Sequence, residues 1–69
     1  MMKFKVEELM KERGFRTQLS LAEATGIHPT RIGPIVHGTV RRLDVETLDK
    51  LCRTFDCQPN DLLEYVPDP

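Results

Sequence analysis

Residues 17–38 read TQLSLAEATGIHPTRIGPIVHG, and this stretch decides the fold. Gly26 and Gly38 are positioned to end two short helices, because glycine adopts the left-handed conformation of a helix C-cap without steric cost. The first helix begins after Thr17, a good N-cap residue, and the second has Pro29 at its first position, where its missing N–H costs nothing. Two short helices joined by a tight glycine turn form a helix-turn-helix.

The second of these helices has an apolar side that is predicted to pack on the core and other faces that are not. Ile32, Ile35 and Val36 recur at helical spacing and are predicted to face the core, while Ala22 is small where the two helices must cross. The amino-terminal end and the remaining faces are free to enter a DNA major groove. They carry His28, Thr30, Arg31, Gly33, Pro34 and His37.

Three further helices are predicted outside this block. One spans about residues 5–13 and ends at Gly14, and another begins at Asp44, an N-cap residue preceded by Leu43, which packs on Leu48. The stripe predicted to be buried on that helix is Leu48, Leu51, Cys52 and Phe55. The last helix opens at Pro59 and carries Leu62 and Leu63. We therefore expect one all-α, five-helix domain over residues 1–69.

The amino terminus departs from the helical pattern. Met2, Phe4 and Val6 alternate with Lys3 and Lys5 at the period of a β-strand. The plausible extended partner is the tail around residues 64–66, in the same chain or in a second copy.

Composition excludes several classes of protein. The 69 residues are 39% hydrophobic and 30% charged, with no apolar run near the ~18 residues of a membrane span and no signal-peptide pattern, so we expect a cytoplasmic protein. Cys52 and Cys57 are too few for a disulfide scaffold, and their C-x4-C spacing does not suit a zinc knuckle. No nucleophile is placed with a base, so we expect no catalysis. We also expect no metal, no cofactor and no small-molecule ligand.

The charge is divided unevenly along the chain. Residues 1–42 carry eight Lys or Arg against four Glu, a net charge of +4, whereas residues 43–69 carry two against seven acids, a net charge of −5. Because phosphate attraction acts over about a Debye length, ~8 Å at physiological salt, a locally positive face can bind DNA although the whole chain is slightly acidic.

The sequence resembles the Xre, Cro and lambda-repressor type of helix-turn-helix domain over nearly its whole length. The similarity lies in KERGF at 11–15, ATGI at 24–27, Gln18, Leu21, Ala22, Glu23, Ile32, Ile35, Gly38, and LDVETLDKLCRTFDCQPNDLLEYVPD at 43–68. The last stretch looks like a small subgroup of single-domain regulators. The resemblance implies transcriptional control through operator DNA, usually by a homodimer, for which Leu19, Val36 and Phe4 are candidate contact residues.

The resemblance also implies roles for individual residues. Thr17 and Gln18 lie where the family meets the phosphate backbone, and Arg41 and Arg42, after the second helix, suit further phosphate contacts. The start of that helix, the recognition helix, carries His28, Thr30 and Arg31.

Gly33 and Pro34 lie where the family usually places polar side chains against base edges. Neither side chain can hydrogen-bond a base, so readout would depend on Arg31, Thr30 and His28, or on DNA shape. An interior proline costs ~3 kcal/mol, and we expect it to kink or shorten the helix. The alternative function is a protein-interaction module, antitoxin-like or an adaptor, whose recognition helix no longer reads bases.

Overall fold

The computed structural model describes residues 1–68, which form five helices and one two-stranded antiparallel sheet. In chain order the elements are β1 (Met2–Phe4), α1 (Val6–Glu12), α2 (Gln18–Thr25), α3 (Pro29–His37), α4 (Val45–Phe55), α5 (Pro59–Leu62) and β2 (Leu63–Tyr65). The predicted five-helix domain with a short amino-terminal strand is confirmed.

The ends of α2 and α3 follow from local chemistry. The Thr17 hydroxyl accepts from the Ser20 N–H at 3.1 Å, and the Ser20 hydroxyl accepts in return from the Thr17 N–H at 3.4 Å, a reciprocal capping box. Gly26 and Gly38 end the two helices with φ of 78° and 76°, a conformation that favours glycine. These short-range contacts explain why the boundaries were predictable.

The turn between α2 and α3 is stabilised by a buried threonine. The Thr25 hydroxyl donates to the Leu21 carbonyl at 2.8 Å and accepts from the Ile27 N–H at 3.1 Å. Because these bonds satisfy polar groups inside the turn, Ile27 can insert into the core without leaving a donor unpaired.

Pro34 does not shorten α3, which was one of the two effects, kinking or shortening, that the sequence predicted for it. The helix continues through Pro34 and ends at His37, before Gly38. Proline removes the bond to the Thr30 carbonyl, but Thr30 is exposed in the first turn, where water can satisfy that carbonyl. The Pro34 carbonyl accepts from the Thr39 N–H at 2.9 Å and holds the chain that follows the helix.

All five helices contribute to the core, with Phe55 among its fully buried side chains. The Phe15 ring meets Phe55 edge-on, with the ring centres 5.9 Å apart, and Arg13 Nε donates to the Phe55 carbonyl at 2.9 Å. The buried residues are Val6, Leu9, Met10, Leu21, Ala22, Ile27, Ile32, Ile35, Val36, Leu51, Phe55 and Leu62.

The stripe predicted for α4 is only partly buried. Leu51 and Phe55 are buried as expected, but Leu48 and Cys52 pack at the edge of the core. Thr47 is buried instead, close to the start of the helix. The short α5 covers one flank of α4 incompletely, which leaves Leu48 and Cys52 half-exposed.

The amino-terminal strand pairs with the tail of the same chain. Met2, Lys3 and Phe4 lie opposite Tyr65, Glu64 and Leu63. Leu63 was predicted to lie in the last helix, but it is the first residue of β2, because the backbone of β1 offers it a partner at this point.

Two of the three candidate dimer-contact residues pack inside the chain. Val36 is buried in the core, and the Phe4 side chain packs over Gly38 at the end of α3. Leu19 remains 58% exposed.

Within residues 1–68, no helix is long and apolar enough to cross a membrane, and no three His, Cys, Asp or Glu side chains gather as a metal site would require. Cys52 and Cys57 are free thiols. Burial raises the pKa of the Cys57 thiol, with the neighbouring Cys52 adding to the effect, so this thiol stays protonated at neutral pH.

Candidate nucleic-acid interface

The amino-terminal end of α3 is held by its own first residues. His28 Nδ1 accepts from the Thr30 N–H at 3.2 Å and from the Thr30 hydroxyl at 2.8 Å, and so caps the helix. This use of Nδ1 leaves Nε2 as the ring nitrogen that can meet DNA. His28 and Thr30 are both exposed, but some of their polar groups already hydrogen-bond to each other.

A side chain from α2 lies across α3 at Gly33. Gln18 Nε2 donates to His37 Nε2 at 3.1 Å, and a Cβ placed on Gly33 would lie 3.4 Å from Gln18 Oε1. The structure therefore brings together three of the predicted residues, Gln18, Gly33 and His37. A polar amide covers the position where α3 itself has no side chain, an arrangement that the sequence pattern did not predict.

A substitution at Gly33 tests this packing. Gly33→Ala is expected to change the free energy of unfolding by no more than about 0.5–1 kcal/mol, because the gain from replacing a glycine inside a helix is opposed by contact between the new Cβ and the ring of Pro34. Beyond its chain neighbours Ile32 and Pro34, the new methyl would meet the flexible end of the Gln18 side chain. Urea unfolding followed by circular dichroism measures the change. Gly26→Ala is the matched control and should destabilise, because φ there is 78°. Equal losses in both variants would contradict this account of Gly33.

Arg31 points toward the start of α4. Its terminal nitrogen lies 3.6 Å from Asp44 Oδ1, and the same oxygen accepts from the Thr47 N–H at 3.3 Å as the N-cap of α4. The hydrogen bond from Thr47 holds the pKa of the Asp44 carboxyl below its usual range, and Arg31 adds to this effect. Asp44 therefore remains ionised at neutral pH. The sequence predicted Arg31 and the cap, but not their contact.

The remaining predicted residues lie at the margins of α2 and α3. Thr17 is exposed at the start of α2, with its hydroxyl engaged in the capping box, and Pro34 is exposed on α3. Arg41 and Arg42 lie exposed in the segment between α3 and α4, and neither forms an ion pair within residues 1–68. Their guanidinium groups are available to an external anion.

The geometry agrees with what comparison to known proteins finds. The sequence model of one protein family, the Cro/C1-type HTH DNA-binding domain, matches residues 5–68 of this chain. The chain is also similar to an uncharacterized HTH-type transcriptional regulator of Bacillus subtilis (strain 168), YozG, with 33% identity over 48 residues. That alignment covers 70% of this chain and 57% of the relative, so the chain spans little more than half of the relative's length. No solved structure matches the chain significantly.

Proposed function

Because this chain belongs to the Cro/C1-type HTH DNA-binding domains, we propose that it binds double-stranded DNA in a sequence-dependent manner and regulates transcription from operator sites. The observation that carries the proposal is the exposed face of α3, which presents Arg31 and His37, with Gln18 of α2 bonded to His37, on a helix anchored by buried Ile32 and Ile35. The proposal includes a cytoplasmic location, where the protein would meet its DNA.

Phosphate contacts would position the protein on the duplex. Thr17 and Gln18 start α2, whose first N–H groups favour a phosphate, and Arg41 and Arg42 after α3 add two cations that form no ion pair within residues 1–68. Such contacts supply affinity and register but little sequence choice.

Base readout would fall mainly to Arg31. A guanidinium can hydrogen-bond O6 and N7 of guanine at once, the commonest specific contact in a major groove. Thr30 and His28 lie beside it at the end of α3 that enters the groove, and His37 lies at the other end of the helix. The Pro34 side chain cannot hydrogen-bond a base, but its exposed ring can contact a thymine methyl group.

A homodimer is part of the proposal. Met1, Met2 and Tyr65 expose large apolar side chains at one end of the β1–β2 ribbon, and Phe4 in that ribbon packs against Gly38 at the carboxyl end of α3. A second copy meeting this ribbon would leave both amino-terminal ends of α3 free. The two recognition helices would then read half-sites ~34 Å apart. Light scattering of the DNA-free protein measures the mass.

A salt titration tests DNA binding directly. Affinity for a random-sequence duplex should fall steeply with salt, with a slope of about −0.9 in log K against log salt for each phosphate contacted. Replacing both Arg41 and Arg42 by Ala should make the slope shallower by about two and weaken binding equally for all sequences.

The control variant removes two cations from the acidic half of the chain. Lys50 and Arg53 pair with Glu46 and Asp49 on α4, so replacing both by Ala should leave the salt slope unchanged. An absent or flat salt response of the unmodified protein would contradict the proposed function and favour the protein-interaction module instead.

A further inference from the structure

Arg31 has an acidic neighbour contributed by a different helix. It is the only Lys or Arg in α3, and Asp44 belongs to the cap of α4. The two side chains are 50% and 58% exposed, so neither is shielded from solvent.

A backbone N–H group, and not Arg31, holds the Asp44 carboxylate in position. Asp44 Oδ1 accepts from the Thr47 N–H and faces one terminal nitrogen of Arg31 at 3.6 Å. A guanidinium carries five N–H donors in a planar fork, so this contact occupies one corner and leaves the others available.

We propose that Asp44 is a specificity-determining positioning residue, which holds Arg31 for a base edge and withholds it from phosphates. The inference rests on the proposed function. A phosphate that approaches Arg31 meets the repulsion of the Asp44 carboxylate and must displace it. The acceptors of guanine are uncharged, so they meet far less repulsion and can use the free corners of the fork. Asp44 thus weakens non-specific binding more than specific binding.

The capping role of Asp44 does not require its charge. Asparagine caps helices about as well as aspartate, because either side chain offers an oxygen to the N–H groups of the first turn. Asp44→Asn therefore removes the charge beside Arg31 while it preserves the start of α4. Thermal unfolding of the variant checks that the fold is unchanged.

The test uses two duplexes of equal length and base composition. One is selected with the unmodified protein from a randomised pool, and the other is its scrambled version. Asp44→Asn should bind the scrambled duplex more tightly by up to about fivefold, the upper end of the range for a surface ion pair, with a salt slope steeper by about one. The selected duplex should gain less, so the ratio of the two affinities should fall.

Two further variants separate positioning from a general charge effect. Glu46→Gln removes an acid two residues further along, which pairs with Lys50, and should leave the ratio unchanged. In an Arg31→Ala background, Asp44→Asn should also leave the ratio unchanged, because the group that Asp44 positions is gone.

The outcomes distinguish this inference from the function on which it rests. An unchanged ratio in Asp44→Asn, an equal shift in Glu46→Gln, or a shift that persists without Arg31 would overturn the inference alone. If the unmodified protein yields no preferred duplex, the inference falls together with the proposed sequence-dependent function.

Discussion

Phe55→Ala is expected to lower the free energy of unfolding by about 3–5 kcal/mol, the usual cost of removing a buried aromatic ring. The ring is fully buried at the end of α4 and receives the edge of Phe15. A domain of 69 residues has roughly 3–10 kcal/mol of stability in total. The variant should therefore lose about a third or more of the stability of the domain, and urea or thermal unfolding followed by circular dichroism will measure the loss.

The hydrogen bond from Arg13 ends on the Phe55 backbone carbonyl, so the substitution leaves its acceptor in place and the loss reports on the ring. Val45→Ala is the matched control on the same helix, since Val45 is 82% exposed and should change stability by less than about 0.5 kcal/mol. A loss below about 1 kcal/mol in Phe55→Ala would show that the core does not depend on this ring in the way described.

Arg31→Ala is expected to abolish most of the sequence preference. A bidentate contact to guanine contributes about 1–3 kcal/mol of discrimination, so the affinity ratio between selected and scrambled duplexes should fall about fivefold to 150-fold. The effect is large because Gly33 and Pro34 offer no hydrogen-bonding side chain beside Arg31. Competition binding with the two duplexes measures the ratio.

Arg31→Lys sharpens this test. Lysine keeps the charge but lacks the planar fork, so the variant should retain its affinity for the scrambled duplex and lose most of the preference. If Arg31→Ala weakened binding to both duplexes equally, Arg31 would be a phosphate contact, and base readout would have to be assigned elsewhere on α3.

The sequence predicted the helices well because their ends are set by contacts within about four residues. Thr17 and Asp44 accept bonds from the first turns of their own helices, and Gly26 and Gly38 supply the left-handed caps. Pro34 is the exception, because the rule that an interior proline shortens a helix did not hold there. Pro34 lies inside α3, but the carbonyl that loses its bond belongs to Thr30, which is exposed in the first turn, and the helix continues to His37.

The candidate site was predicted residue by residue but not as an arrangement. The sequence placed Arg31, Gln18 and His37 on the outside of the helix-turn-helix. It did not show that Gln18 covers Gly33, or that Asp44 faces Arg31, because each contact joins two different helices.

By itself, the sequence determined the family, the five helices and the helix-turn-helix at their centre, since periodicity and capping are local properties. Only the tertiary structure decided that β1 pairs with β2 of the same chain, that Leu63 leaves the last helix, and which partners the Arg31 and Gln18 side chains contact. These contacts join residues that are far apart in the sequence. They depend on how the helices pack and bring distant segments together, and not on local propensity.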